Sequence, residues 1–87
     1  MYNRLVSYFI YIIRCLDGSY YTGSTNDIEK RFKKHLKGCG AQYTKSHKPE
    51  KIVYQEESPT KSDALKREAE IKNWSREKKE KLVRSMI

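Results

Sequence analysis

The sequence YFIYIIRCLDGSYYTG, residues 8–23, contains two apolar runs joined by a turn signal, and we interpret it as a strand, a two-residue turn and a second strand. Alternate positions on both sides of the first strand are apolar, which predicts that both of its faces are covered. The turn signal is Asp17-Gly18, and we expect a type I′ turn, in which both central residues have a positive φ. A hairpin of this size is not stable alone in water, so the helices that follow must pack on it.

The length and charge of the chain limit what it can be. Its 87 residues predict a single domain spanning residues 1–87, with one modest core. It has 19 Lys and Arg against 11 Asp and Glu, a net charge of +8, which favours polyanionic partners. Seven tyrosines beside two phenylalanines are unusual for a plain core, because a tyrosine can keep its hydroxyl in water or stack on a base.

The cysteines and the hydropathy of the chain predict its compartment. Cys15 and Cys39 form no C-x-x-C pair and lie at no zinc-finger spacing from a histidine, so a structural zinc site is not expected. The apolar run near the start is short and is interrupted by Arg14 and Asp17, which is not typical of a signal peptide. No segment approaches the length needed to span a bilayer. We therefore expect a cytoplasmic protein with reduced thiols and no membrane partner.

A helix should follow the hairpin. Asn26 with Glu29 fits a capping box at its start, and Gly38 marks its end. Its core face is predicted from three apolar residues spaced four apart: Ile28, Phe32 and Leu36. Arg31 and His35 lie at the edge of that stripe, where a side chain can point into a cleft.

The second half of the chain supplies one more strand and two more helices. Residues 39–50 show no periodicity and predict a basic loop, and residues 52–55 predict a third strand. Thr60 with Asp63 predicts the start of a helix over 61–74, and Ser75 predicts the cap of another. The order β-β-α-β-α-α indicates an α+β fold, a small three-stranded antiparallel sheet flanked by helices.

Glu68 is the most informative single residue of the second helix. On a helical wheel it lies near the middle of the apolar face, among Ala64, Leu65, Ala69 and Ile71. An ionised carboxylate on a packed face is costly without a partner. One partner is Lys72, four residues further along the helix, and the other is a metal ion at the bottom of a cleft. The residues alone favour the ion pair and leave the metal open.

Five side chains can face one cleft if the helices pack on the hairpin: Tyr11, Tyr21, Arg31, His35 and Glu68. Hydrolysis of a phosphodiester needs an activated water, a cation near the non-bridging oxygens and help for the leaving oxygen. A single carboxylate suits Mg²⁺, which keeps most of its waters, and does not suit a two-metal site.

Three motifs support a resemblance to a known family: YIIRCLDGSYYTG at 11–23, GAQYT at 40–44 and REAEIKNW at 67–74. With them, and with Phe9-Ile10-Tyr11 and Tyr21-Thr22-Gly23, the chain resembles the GIY-YIG nuclease superfamily over nearly its whole length. It is most similar to the short stand-alone bacterial members, which are largely uncharacterised. Phe9 and Thr22 stand where the family name has Gly and Ile, and short members commonly show such changes.

The resemblance implies a role for each of the five residues. Tyr11 and Tyr21 match the two motif tyrosines, one of which acts as general base or orients the attacking water. Arg31 matches the arginine that steadies the phosphate in the transition state, and His35 matches a helix position that helps with proton transfer. Glu68 matches the lone carboxylate that binds the metal, Mg²⁺ or Mn²⁺. The family fold is a small three-stranded antiparallel sheet flanked by helices.

Three functions remain open at this point. The first is a metal-dependent endonuclease that hydrolyses nucleic-acid phosphodiester bonds, with DNA the expected partner. The second is a non-catalytic nucleic-acid-binding module on the same fold, and the third is a subunit that recruits a partner through the last helix. Relatives that cut specific targets usually carry an extra domain, so the resemblance leaves open a weak or non-specific nuclease and one that depends on a protein partner for specificity.

Overall fold

The computed structural model describes residues 7–86 as an α+β domain with a three-stranded antiparallel sheet flanked by helices. Its elements are β1 Tyr8–Cys15, β2 Tyr20–Thr25, α1 Ile28–Leu36, α2 Gln42–Ser46, β3 Pro49–Ser58, α3 Lys61–Lys72 and α4 Arg76–Arg84. The predicted fold class and order of the main elements are confirmed. The structure adds α2, a five-residue helix within the segment that the sequence predicted as a loop. None of the helices in residues 7–86 is long and apolar enough to cross a membrane.

β1 is the central strand of the sheet, which has the order β2-β1-β3. Ile10 and Ile12 are fully buried on one face, against α3 and α4. Tyr11 and Ile13 are buried on the other face, against α1 and α2. The prediction that both faces of this strand are covered is therefore confirmed, and the sheet is the middle layer of three.

The hairpin between β1 and β2 does not have the predicted two-residue type I′ turn. Gly18 has a φ of +87°. None of the described residues other than glycine has a positive φ, so the φ of Asp17 is negative. The Gly18 amide donates to the carbonyl of Cys15 at 2.9 Å, and the Cys15 amide donates to the carbonyl of Ser19 at 2.8 Å. This pattern fits a type I turn followed by one left-handed glycine, which needs a positive φ only at Gly18. Asp17 instead accepts hydrogen bonds from the amide and the hydroxyl of Ser19.

The start of α1 lies one residue later than predicted. Asp27, not Asn26, is the N-cap, and its side chain accepts from the Lys30 amide at 3.0 Å. The Asp27 amide donates to the Thr25 hydroxyl at 3.1 Å, which holds Asp27 in the extended conformation that an N-cap requires. The expected box of Asn26 with Glu29 is therefore wrong. The structure confirms the other two predicted caps, Thr60 for α3 and Ser75 for α4.

The buried face of α1 differs from the predicted apolar stripe at its last turn. Ile28 and Phe32 pack on the sheet as expected, but Leu36 is 55% exposed. His35 takes the buried position instead and is fully enclosed. His35 can be buried because its ring has hydrogen-bond partners inside the protein. The prediction from hydrophobic spacing did not take these hydrogen bonds into account.

We expect the core between the sheet and α3 to depend on Ile71. Its side chain is fully buried, so Ile71→Ala should lower the free energy of unfolding by about 2–5 kcal/mol through lost burial and the cavity left behind. Leu65→Ala on the same helix is the matched control, because Leu65 is 49% exposed and its loss should cost far less. Urea denaturation followed by circular dichroism measures both. Equal losses for the two variants would contradict the packing described.

Candidate active site

Side chains from four elements meet at the β2 edge of the sheet. Tyr11 of β1 and Tyr21 of β2 lie on the face covered by α1, with ring centroids 6.3 Å apart. His35 of α1 packs against both rings, with centroids 5.9 Å from Tyr11 and 5.3 Å from Tyr21. Arg31, one turn earlier on α1, lies beside the Tyr11 hydroxyl and affects its pKa. Glu68 of α3 lies close enough to act electrostatically on the same hydroxyl.

Gly23 and Ser24 of β2 link the two sides of the sheet at this edge. Gly23 is paired with Tyr11 across the ladder, and a Cβ at this position would lie 2.5 Å from Tyr11 Oη. The Tyr11 hydroxyl thus lies against a residue that has no side chain. The next residue, Ser24, donates a hydrogen bond from its hydroxyl to Oε1 of Glu68 at 2.6 Å. Glu68 therefore reaches the site from the opposite face of the sheet, around the edge strand.

The Tyr11 hydroxyl is held by a hydrogen-bonded chain in the interior. Tyr11 is 1% exposed, and its Oη lies 2.9 Å from Nε2 of His35. The other ring nitrogen of His35, Nδ1, lies 2.7 Å from Oγ1 of Thr44 in α2. Thr44 is itself buried. The chain Tyr11–His35–Thr44 therefore connects the central strand to α2, with each polar atom partnered.

The electrostatics of the site favour neutral forms of both Tyr11 and His35. Burial raises the pKa of the Tyr11 hydroxyl well above its ordinary value of about 10, and the charges of Tyr21 and Glu68 add to this rise. The Arg31 guanidinium opposes it, because a cation favours the phenolate. Burial, and then the charge of Arg31, lower the pKa of His35 below its ordinary value, so its ring is neutral at pH 7.

Both oxygens of Glu68 have partners. Oε1 accepts from Ser24, and Oε2 lies 2.9 Å from Nζ of Lys72, the ion pair that the sequence suggested. The Glu68 side chain is 16% exposed and lies at the border of the buried face of α3, because Leu65 and Ala69 face solvent instead of flanking it in the core. The hydrogen bond with Glu68 raises the pKa of Lys72. The ammonium also lies 5.7 Å from the centroid of the Tyr21 ring.

An open cationic cleft adjoins this cluster. It has a volume of about 220 Å³ and is lined by Tyr8, Ser24, Thr25, Asn26, Arg31 and Lys61. A second depression of about 130 Å³ shares three of these residues and adds Lys30, Lys34 and Asp27. Four cations and one carboxylate thus border the opening, so an anion is the ligand that this surface attracts.

The donor set at Glu68 suits one kind of metal ion. Within residues 7–86 no three His, Cys, Asp or Glu side chains lie together in a way that could hold a metal. A closed zinc site or an all-protein calcium cage therefore does not fit the described residues. A lone carboxylate beside hydroxyls fits Mg²⁺ or Mn²⁺, which bind through one or two carboxylates and retain water. Lys72 must leave Oε2 for such an ion to bind there.

The sequence did not predict the part that α2 plays. Thr44 contacts His35, and Tyr43 stacks on Tyr21 with centroids 5.9 Å apart. The Tyr43 ring also stacks on the ring of His47, with centroids 3.9 Å apart. The motif GAQYT was a signal for this region, but the lack of periodicity in residues 39–50 predicted only a basic loop.

Comparisons with known proteins agree with this architecture. Residues 7–81 match the family model described as the GIY-YIG catalytic domain. A UPF0213 protein of Staphylococcus saprophyticus is 59% identical over 76 residues, which are 87% of this chain and 93% of that protein. A UPF0213 protein of Staphylococcus aureus is 53% identical over 78 residues, 90% of this chain and 95% of that protein.

Two solution NMR structures are also similar to this chain. A UPF0213 protein of Bacillus halodurans has 45% sequence identity and a TM-score of 0.57, over 88% of this chain and 82% of that one. A protein of E. faecalis has 35% identity and a TM-score of 0.62, over 99% and 91% of the two chains. The names of these four proteins state no activity.

The neutral state of His35 predicts how stability depends on pH. Because its pKa is lower in the folded chain, the unfolded chain takes up this proton first. The contribution of neutral His35 to the free energy of unfolding is present above about pH 6.5, the ordinary pKa of histidine. It is lost as the pH falls through the lower pKa that His35 has in the folded chain. We expect the urea concentration at the midpoint of unfolding of the wild type to decrease when the pH is lowered from about 7 to about 5. The midpoint of His35→Gln should decrease less over the same range. His47→Gln should keep the wild-type fall, and an unchanged fall in His35→Gln would contradict a neutral His35.

Proposed function

The chain belongs to the GIY-YIG family, and on that premise we propose that it is a metal-dependent endonuclease that hydrolyses nucleic-acid phosphodiester bonds. The observation that carries the proposal is a convergence: Arg31, the Tyr11 hydroxyl and Glu68 come from three elements and meet beside one cationic cleft. Glu68 would hold a single divalent ion, Mg²⁺ or Mn²⁺, in place of Lys72. The whole site lies within one domain.

The cleft supports a polyanionic substrate, with DNA as the first candidate. Arg31 and Lys61 line the larger depression, and Lys30 and Lys34 line the adjoining one. Cations that border an open groove neutralise phosphates and release their counterions, which gives affinity without reading sequence. Specificity for a target would then come from elsewhere, and a protein partner that supplies it remains part of the proposal.

The side chains around the cleft divide the chemical work. Arg31 neutralises the charge that builds on the non-bridging oxygens of the phosphate, a role that its fixed donor fork suits. Tyr11 orients the attacking water and accepts its proton while passing the phenolic proton to Nε2 of His35, 2.9 Å away. Tyr21, beside both rings, completes the wall of the site. A divalent ion, when bound, supplies Lewis-acid stabilisation of the phosphate oxygens.

The burial of Tyr11 explains why it needs His35. A phenol in water has a pKa of about 10, and burial raises the pKa of Tyr11 further, so an isolated phenolate would be a costly intermediate. With a neutral imidazole already in hydrogen-bond contact, Tyr11 can lose one proton as it gains another. For this reason we assign the water-orienting role to Tyr11 and not to Tyr21.

A second candidate function is a nucleic-acid-binding module that does not cut. The observation that favours it is the state of Glu68, whose two oxygens are both engaged, by Ser24 and by Lys72. A carboxylate that keeps these partners would leave the cationic cleft intact as a binding surface. The two candidates agree on affinity for nucleic acid and differ on turnover in the presence of a divalent ion.

The cleavage test uses labelled single-stranded, duplex and branched DNA with Mg²⁺ or Mn²⁺. We expect cleavage that stops when the ion is chelated and that falls about 10²-fold or more in Glu68→Gln and in Arg31→Gln, because each loses charge stabilisation in the transition state. Glu70→Gln is the matched control, since Glu70 lies on the same helix but pairs with Arg67 at the surface. It should cut like the wild type.

Two outcomes decide between the candidates. If the wild type binds DNA but cuts none of the substrates with either ion, the binding module replaces the nuclease. If Glu68→Gln and Arg31→Gln cut as fast as the wild type, the activity does not reside in this site. Loss of Mn²⁺ binding in a Glu68→Gln variant that keeps the circular dichroism spectrum of the wild type, measured by electron paramagnetic resonance of the free ion, shows loss of metal without loss of fold.

The cationic cleft makes its own prediction about affinity. Lys61→Gln removes one cation from the cleft, so the slope of log affinity against log salt for a labelled DNA duplex should shrink by about 0.9. Lys51→Gln is the control of equal charge, because Lys51 lies on β3, separated from β2 by the central strand. Fluorescence anisotropy over a series of salt concentrations measures both slopes. Equal changes in the two variants would mean that the net charge, and not this cleft, binds DNA.

A further inference from the structure

Thr44 makes two polar contacts inside the protein, and they assign the direction of its hydroxyl. Oγ1 lies 2.7 Å from Nδ1 of His35 and 3.2 Å from the carbonyl oxygen of Ala41. A carbonyl oxygen can only accept, so the single hydrogen of the Thr44 hydroxyl is donated to Ala41. The oxygen of the same hydroxyl must then accept a hydrogen from Nδ1 of His35. The Ala41 carbonyl also accepts from the Lys45 amide at 3.2 Å, and both contacts of Oγ1 are hydrogen bonds at the same time only in this arrangement.

We propose that Thr44 is a positioning residue that holds neutral His35 in the tautomer with its hydrogen on Nδ1. In this tautomer Nε2 has no hydrogen and is an acceptor. Nε2 lies 2.9 Å from Tyr11 Oη, so the Tyr11 hydroxyl donates to it. One threonine thereby sets the direction of two hydrogen bonds that run from the central strand to α2.

The surroundings of Thr44 are built to hold this contact. Thr44 is 2% exposed and His35 fully buried, so no water competes for Nδ1. Gly40 lies so close to the ring that a Cβ there would overlap His35, which means that the chain before α2 closes directly over the imidazole. Ala41 is the N-cap of α2 and presents its carbonyl to Thr44, three residues on. Tyr43 anchors the same helix by stacking on Tyr21.

This placement gives a physical meaning to the motif GAQYT, residues 40–44. Gly40 allows the close approach, Ala41 accepts the hydroxyl hydrogen, Tyr43 packs against the site and Thr44 orients His35. A helix of one turn is too short to be stable by itself, so these contacts are what hold α2 in place.

The consequence for catalysis rests on the function proposed above. With Nε2 free of hydrogen, Tyr11 can pass its proton to His35 as it receives one from the attacking water, and His35 becomes an imidazolium that still donates from Nδ1 to Thr44. In the other tautomer Nε2 would donate to Tyr11 Oη and could not accept the phenolic proton. The water would then have no route for its proton through Tyr11.

The direct test is the tautomer of His35 in the full chain, read from the ring nitrogen resonances in long-range ¹H–¹⁵N NMR spectra near pH 7.5. We expect the wild type to show hydrogen on Nδ1 and a bare Nε2. Thr44→Val, which removes the acceptor and keeps the shape, should shift the ring to the form with hydrogen on Nε2. Thr44→Ser should restore the wild-type pattern, because serine offers the same oxygen.

Thr22→Val is the matched control for the loss of a buried hydroxyl. Thr22 is as well buried as Thr44 but pairs with Ile12, on the face of the sheet covered by α3 and α4. Its Oγ1 has no hydrogen-bond partner in the described part of the chain. This variant should leave the His35 resonances unchanged.

The outcomes separate this proposal from the proposed nuclease. Hydrogen on Nε2 in the wild type overturns the role of Thr44, whatever the variants do, and so does a folded Thr44→Val that keeps the wild-type tautomer. In the cleavage assay Thr44→Val should lower kcat by about 10²-fold with little change in KM, and Thr44→Ser should recover it. A wild type that has the expected tautomer but cuts nothing removes the nuclease and leaves the assignment of His35 standing.

Discussion

Tyr11 is a polar side chain on a strand that is covered on both faces, so its hydroxyl needs a hydrogen-bond partner within the protein. His35 is that partner. A buried imidazole has a second ring nitrogen, and this nitrogen also needs a hydrogen-bond partner. Thr44 meets it, and Ala41 meets the remaining hydrogen of Thr44. One buried phenol on β1 thus dictates a histidine at the end of α1 and the presence of α2. The same chain of contacts brings two helices to the site.

The position of the site at an edge strand follows from how the helices are divided between the two faces. α1 and α3 lie on opposite sides of the sheet, so Arg31 and Glu68 can approach one another only around β2. Gly23 makes this possible, since a side chain there would collide with Tyr11 Oη. Ser24, the next residue, carries the link to Glu68. Two helices on opposite faces could not approach one another in this way at the central strand, because β2 and β3 lie on either side of it.

The sequence predicts those features that depend on repeated local signals. Alternation of apolar residues predicted a strand covered on both faces, which the structure confirms. The helical wheel placed Glu68 near the middle of the apolar face of its helix, and that position was wrong: Glu68 lies at the border, because Leu65 and Ala69 face solvent. Two local predictions failed, the type I′ turn and the cap of α1, and the burial of His35 failed because it depends on contacts distant in sequence. His35 displaces Leu36 from the core because Tyr11 and Thr44 offer it hydrogen bonds, and hydropathy spacing carries no such information. A five-residue helix has no periodicity to detect, so α2 was also missed. The catalytic roles of the site residues stay predictions, because they depend on the reaction chemistry and not only on where the side chains lie.

The burial of Glu68 explains why a cation must pair with its carboxylate before any substrate binds. A largely buried carboxylate without a countercharge would be strongly destabilising, so the folded chain needs a cation at Oε2 at all times. Lys72 is well suited to that duty, because its side chain is 48% exposed and ends in a single ammonium on a flexible stem. It can return to water at small cost when another cation takes its place, whereas a buried bidentate arginine would have to break two hydrogen bonds. The ion pair is therefore compatible with the proposed metal site, at which Lys72 would give up its place at Oε2 to the ion.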